Sequence, residues 1–181
     1  SCLSLETIAI PKSVVEIGEH AFSHCTSLRE VTIKEGLKEL SSSAFSNCDK
    51  LTTLQLPNSI SVIGEYAIFA TGLKNYFIPS SVLCIKDFAF GGVYTEPRTF
   101  FFKGGPINDC AENIFATQFS NGLVVFGEGY YSFENKTDWL AALDGEGKWH
   151  GIPMHCTGIE PRGCDWSTGT IELGWYGIAT N

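Results

Sequence analysis

The chain is short of positive charge: 12 Lys and Arg stand against 20 Asp and Glu among 181 residues, for a net charge of -8. Binding to nucleic acid or to an anionic membrane surface draws on clustered Lys and Arg, so both partner classes are disfavoured. No uninterrupted apolar run approaches the roughly 20 residues of a membrane-spanning helix, so insertion into a bilayer is not expected. A charged-then-apolar leader is also lacking. The first residues, Ser1-Cys2, fall in the middle of a repeat, and the expectation is an excised piece whose targeting signal lies elsewhere. Charged residues make up only 18% of the chain while apolar ones reach 44%, enough burial to argue against disorder. Catalytic signatures are missing as well. Glu16, Glu19, Glu39 and Glu65 suit a solvated face better than paired acid/base work, and the glycines of Phe126-Gly127-Glu128-Gly129-Tyr130 lack the helix and Lys of a phosphate loop. No enzyme activity and no cofactor is expected.

What the sequence does hold is a repeat. Cys25, Leu28, Val31, Ile33, Leu37, Leu40, Ala44 and Phe45 recur 23 residues earlier as Cys2, Leu5, Ile8, Ile10, Val14, Ile17, Ala21 and Phe22. They recur again 23 residues later as Cys48, Leu51, Leu54, Leu56, Ile60, Ile63, Ala67 and Ile68. A fixed period of roughly 20 to 29 residues around an LxxLxL-like core marks a leucine-rich solenoid. One coil cannot bury its own apolar face, so coils stack, and function is sought on the surface of the stack.

Each coil has two limbs. The first, as in LREVTIKEG, alternates apolar and polar residues and predicts a short strand of a parallel sheet on the concave face. Pro11-Lys12-Ser13, Lys34-Glu35-Gly36, Pro57-Asn58-Ser59 and Pro79-Ser80-Ser81 mark the following turns. The second limb, as in SVVEIGEHAF, predicts an irregular, 3₁₀ or short β return. Gly18 and Gly64 share a column that predicts a left-handed corner. A fourth coil runs from Thr71 to Gly92, and a fifth is degenerate, with Phe100 and Phe102 in the strand and Ile107, Cys110, Ile114 and Phe115 in the return. Leu123 and Val125 suggest a sixth strand. The resulting organisation is a solenoid of about five to six coils over residues 1–127, degenerate from about 93. Residues 128–181 form either a terminal cap or the start of a following segment, with a short helix predicted to end in Trp139-Leu140-Ala141-Ala142-Leu143. Cys2, Cys25 and Cys48, with Thr71, form a column of small buried side chains and are expected as free thiols; Cys84 and Cys110 are also expected buried.

The words LETIAIPKSVVEIGEHAFSHC, LREVTIKEGLKELSSSAFSNC, LTTLQLPNSISVIGEYAIFA and LKNYFIPSSVLCIKDFAF carry the strand, the IP-x-SV turn, the I-G corner and the AF-xx-C close in order. In these the chain resembles the BspA-type, or Treponema-pallidum-type, leucine-rich repeats of bacterial and protozoal surface proteins. The resemblance covers residues 2–92 strongly, and RTFFFKGGPINDCAENIFA to WLAALDG more loosely. It implies an extracellular or cell-surface, secreted or attached solenoid that works in adhesion or host-protein binding, with no catalytic or metal residues to carry over.

The residue between the two inward columns of each strand points outward. That stripe is Ala9, Thr32, Gln55, Phe77, Phe101 and Val124, with Tyr130 and Tyr131 just beyond. It begins small and polar and becomes large and apolar. Thr32, Gln55, Phe77, Phe101, Val124, Tyr130 and Tyr131 are therefore the candidate binding residues, with Arg29, Glu30, Thr52, Thr53, Lys74 and Asn75 as a polar rim. The competing explanation is that the C-terminal segment folds back over the aromatics. His150, His155, Cys156 and Cys164 include zinc-ligand types, but their spacing offers neither Cys-x-x-Cys nor His-x-x-x-His, and a Cys156–Cys164 disulfide or free thiols compete with a metal. Asn135-Lys136-Thr137 is a glycosylation sequon by pattern alone. The expected function is non-enzymatic recognition of a host or extracellular protein on the exposed sheet face. The alternatives are an architectural spacer with a metal-dependent or catalytic C-terminal segment, and self-association through the solenoid ends.

Overall fold

The computed structural model describes residues 2–92, 98–119, 122–125, 127–157, 164–165 and 170–171. The chain winds as a leucine-rich solenoid of about six coils, each a strand, a turn and a short return. In chain order, strand and return alternate as β1 (Thr7–Ile10) and β2 (Glu16–Ile17), β3 (Glu30–Ile33) and β4 (Glu39–Leu40), β5 (Thr53–Leu54) and β6 (Val62–Ile63). The series continues with β7 (Asn75–Ile78) and β8 (Cys84–Ile85), then β9 (Arg98–Phe102) and β10 (Asp109–Cys110). A hairpin follows, β11 (Ala116–Phe119) against β12 (Gly122–Val125). Then come β13 (Gly127–Ser132), a 3₁₀ turn (Phe133–Asn135), α1 (Lys136–Ala142), β14 (Lys148–Trp149), β15 (Ile152–Thr157), β16 (Cys164–Asp165) and β17 (Thr170–Ile171).

The period-2 alternation of the strand limb does what it predicts: in β3, Val31 and Ile33 are buried while Glu30 and Thr32 face out. The inward columns stack into one core, in which Cys25, Leu28, Leu37, Leu40, Ala44, Phe45, Cys48 and Leu51 lose all exposure. Cys2, the first member of the column of Cys25 and Cys48, is exposed. Cys84 is buried as expected; the side chain of Cys110 lies outside the described residues.

The two faces of the solenoid differ. On the return side, β10-β8-β6-β4-β2 form one unbroken parallel ladder, with Ile17, Leu40, Ile63 and Ile85 in register. On the strand side, β1-β3-β5 form one sheet and β7-β9-β13-β15, with β14 at the edge, another. The gap follows a shortened connection. Cys48-Asp49-Lys50-Leu51 leads into β5, whereas Thr71-Gly72-Leu73 leads into β7 with one residue fewer. Gly72 lies close on the previous coil, where a Cβ would stand 2.6 Å from the Asp49 carbonyl oxygen. The strand after it, β7, is not paired with β5, while the return limbs β6 and β8 keep their pairing.

Two expectations are corrected here. Gly18 and Gly64 are not left-handed. The positive φ angles fall two residues further on, at His20, Ser43, Tyr66 and Phe88 (55° to 57°), and again at His24, Asn47 and Ala70 (52° to 59°). Gly64 is needed for closeness instead, since a Cβ there would lie 2.8 Å from the Leu40 oxygen. The second correction concerns the sixth strand. Leu123 and Val125 do not continue the parallel ladder, for β12 pairs antiparallel with β11 and places Val124 opposite Thr117. The ladder resumes at β13, where Tyr130 sits beside Phe101. The inserted hairpin widens the coil-to-coil offset from 23 residues to 29 and displaces the expected register.

Parallel pairing thus crosses residue 127 and runs on to β15. Aromatic packing closes this end: Trp139 of α1 is fully buried, touches Phe102, Tyr131 and Trp149, and donates its indole N–H to the Gly104 carbonyl at 3.0 Å. The predicted short helix is therefore present, and it carries the side chain that plugs the core.

Candidate recognition face and groove

Register brings four outward positions into one line, Phe77 beside Phe101, Phe101 beside Tyr130, and Tyr130 beside His155. Their rings stack in turn at centroid distances of 5.0, 5.4 and 5.2 Å. Phe77 and Phe101 are nearly parallel, 12° apart, and Phe101 and Tyr130 are 17° apart. Phe77, Phe101 and Tyr130 are half-buried by this stacking and His155 is exposed. Stacked at the strand spacing, the rings cover one another's faces and turn their edges outward, which makes a stiff ridge at small entropic cost.

Of the candidate residues, Thr32 is exposed and Gln55 half-buried on the other side of the sheet gap. Tyr131 is corrected: it is 3% exposed, points to the core and stacks on Trp139 at 5.3 Å. Adjacent residues of a strand face opposite ways, so Tyr130 and Tyr131 cannot share a surface. Burial, then the neighbouring Cys156 thiol, raises the Tyr131 pKa above the usual phenol range. The side chain of Val124 lies outside the described residues, and its strand pairing removes it from the stripe. His155, which sequence reasoning weighed only as a zinc ligand, joins the ridge; the pairing of β15 with β13 could not be read from a fading repeat.

The rim residues Arg29, Glu30, Thr52, Thr53, Lys74 and Asn75 are all exposed. All of them but Arg29 border a groove of about 620 Å³ at the sheet gap, with Thr32 and Gln55 toward β3 and β5, Phe77 on the far side, and the apolar Val31, Ile33, Leu54 and Leu73 also in its lining. A shallower polar hollow of about 470 Å³ lies at the return corners between His20, His24, Ser23, Ser43, Ser46 and Asn47. Its one sequence signal is the His-x-x-x-His spacing of His20 and His24.

Cys156 carries a free thiol in this structure, and the side chain of Cys164, the partner weighed for it from sequence, lies outside the described residues. Whether residues 172–181 cover the ridge also falls outside them. Among the described residues, no group of three or more His, Cys, Asp or Glu side chains converges as a metal site. No helix among them is long and apolar enough to cross a membrane.

Comparison with known proteins agrees with this architecture. Residues 1–121 match the BspA type leucine-rich repeat region in six copies. No curated protein matches the chain. Among solved structures, the pneumococcal vaccine antigen PcpA superposes with a TM-score of 0.56 at 20% identity, over 82% of this chain and 40% of PcpA. A leucine-rich repeat protein from Bacteroides ovatus gives 0.49 at 19% identity, over 86% of this chain and 52% of the other. A leucine rich cell surface protein from Faecalibacterium prausnitzii gives 0.32 at 22%, over 67% and 44%. The chain thus spans about half or less of the length of these structures. With the repeat matched over most of its length and the solenoid built from it, the chain belongs to the BspA-type leucine-rich repeat family.

Proposed function

We propose that this chain is a non-enzymatic recognition module of a cell-surface or secreted protein, which binds a host or extracellular protein on its strand face. The observation that carries the reading is the ridge Phe77–Phe101–Tyr130, held in register by three parallel strands. Rigid aromatic anchors with a polar rim are the usual composition of energetic centres at protein interfaces. A preformed solenoid face also loses little backbone entropy on binding. The family supports a protein-interaction or adhesin-like role, and the naming of PcpA as a vaccine antigen supports placement outside the cell.

The test is surface plasmon resonance of the immobilised chain against purified extracellular-matrix and plasma proteins. A partner should be retained by the native chain and bound at least about tenfold more weakly, 1.4 kcal/mol, by the Phe101→Ala/Tyr130→Ala double variant. Undiminished binding by a folded double variant would remove the ridge as the site.

A further inference from the structure

The corners of the return limbs carry chemistry that the strand face does not use. His20 and His24 lie in a run of tight turns, in which Ala21 N–H donates to the Gly18 carbonyl, Ser23 N–H to His20 and Cys25 N–H to Phe22, at 3.1 to 3.2 Å. Both histidines hold left-handed backbone, with φ of 55° and 57°, and both are exposed. They border one hollow of about 470 Å³, whose other walls are Ser23, Ser43, Ser46 and Asn47. The next coil repeats the two backbone positions with Ser43 and Asn47, at φ of 57° and 59°. Asn47 Nδ2 donates to Ser46 Oγ at 2.8 Å, which leaves Oδ1 as the acceptor of that amide.

The donor set decides what this hollow can take. The backbone N–H groups of all its lining residues are engaged within the solenoid: His20 on Ser42, Ser23 on His20, His24 on Ser46, Ser43 on Glu65, Ser46 on Ser43 and Asn47 on Phe69. No Lys or Arg stands among the lining residues, so an anion would find neither a nest of N–H groups nor a cationic side chain. No Asp or Glu stands there to ligate a hard cation such as Ca²⁺ or Mg²⁺, and no apolar side chain to receive an apolar anchor. What the hollow offers is two imidazoles with hydroxyl and amide oxygens beside them, and imidazole is the ligand that suits zinc, copper and nickel. The exposed Glu19 next to His20 and the net charge of -8 favour a cation further. We propose that His20 and His24 chelate a borderline divalent transition-metal ion, with water and Asn47 Oδ1 filling its other positions. Two protein nitrogens leave the ion open to solvent, so the site is exchangeable and is no structural centre. It uses none of the ridge residues.

The experiment titrates the reduced 181-residue chain, its accessible thiols blocked with N-ethylmaleimide, with NiCl₂ in a calorimeter. The native chain should take up Ni²⁺ saturably, with a one-to-one component that the His20→Ser/His24→Asn double variant loses. Each single variant should weaken that component at least about tenfold, since even the outer-shell partners of metal ligands are worth that much. The two substitutions place at each corner the residue that the next coil holds there at the same φ, so the backbone keeps its shape. His150→Asn should leave the component unchanged, and protection of Cys25 and Cys48 from thiol reagents confirms that each variant is folded. Absence of saturable Ni²⁺ uptake by the native chain overturns the proposal, as does a folded double variant that binds like the native chain. Uptake of inorganic phosphate that the double variant loses, without uptake of Ni²⁺, would make the hollow an anion site and overturn it too.

Discussion

Tyr130 stacks on Phe101 at 5.4 Å on the outside of the sheet, while its neighbour Tyr131 stacks on Trp139 at 5.3 Å on the inside. Two consecutive tyrosines thus serve opposite faces, and their substitutions should separate cleanly. Tyr131→Ala empties a buried site and should cost about 3–5 kcal/mol, whereas Tyr130→Ala removes a half-exposed ring and should cost about 1 kcal/mol. Urea unfolding of the two variants decides the matter; equal losses would mean that the two rings are equally buried.

Gly64 should not tolerate alanine. The new Cβ would meet the Leu40 and Ser41 backbone at 2.8 Å, and backbone cannot swing aside, so about 1–3 kcal/mol should be lost. The melting temperature of Gly64→Ala tests the statement, and an unchanged value would mean that the corner has room for a side chain.

Thiol accessibility follows position in the stack. Cys25, Cys48 and Cys84 should react with a thiol reagent only after denaturation, while the half-buried Cys156 should react sooner. Peptide mapping after timed labelling identifies each site. Rapid native labelling of Cys25 or Cys48 would show that the column is open.

Stability should also fall in alkali. Burial pushes the Cys48 thiol up from 9.0 to about 11, so between those values the folded state keeps a proton that the unfolded chain releases. The contribution is complete below about pH 9 and is lost as pH rises toward 11, at about 1.4 kcal/mol per unit. Cys48→Ala should flatten this part of the pH–stability curve measured by denaturant titration. An unchanged slope would assign the loss to other groups, such as Cys84 or Tyr131, whose pKa values are also raised.

The repeat made the solenoid legible because inward positions must be apolar in every coil: the same columns that align Leu28 with Leu5 and Leu51 are the ones that stack. The outward line through Thr32, Gln55, Phe77 and Phe101 was readable for the same reason, since strand alternation follows from backbone geometry alone. What depends on pairing between distant segments was not. Val124 continues the spacing of the stripe, yet its strand turns back on β11, and Tyr130 and His155 take the next places because β13 pairs with the edge of β9 and β15 with the edge of β13. The shorter step at Gly72 was present in the alignment of the coils, but the parting of the strand sheet beside it was visible only in three dimensions. There the return ladder holds its spacing while the strand ladder parts, and a continuous face becomes a ridge and a groove.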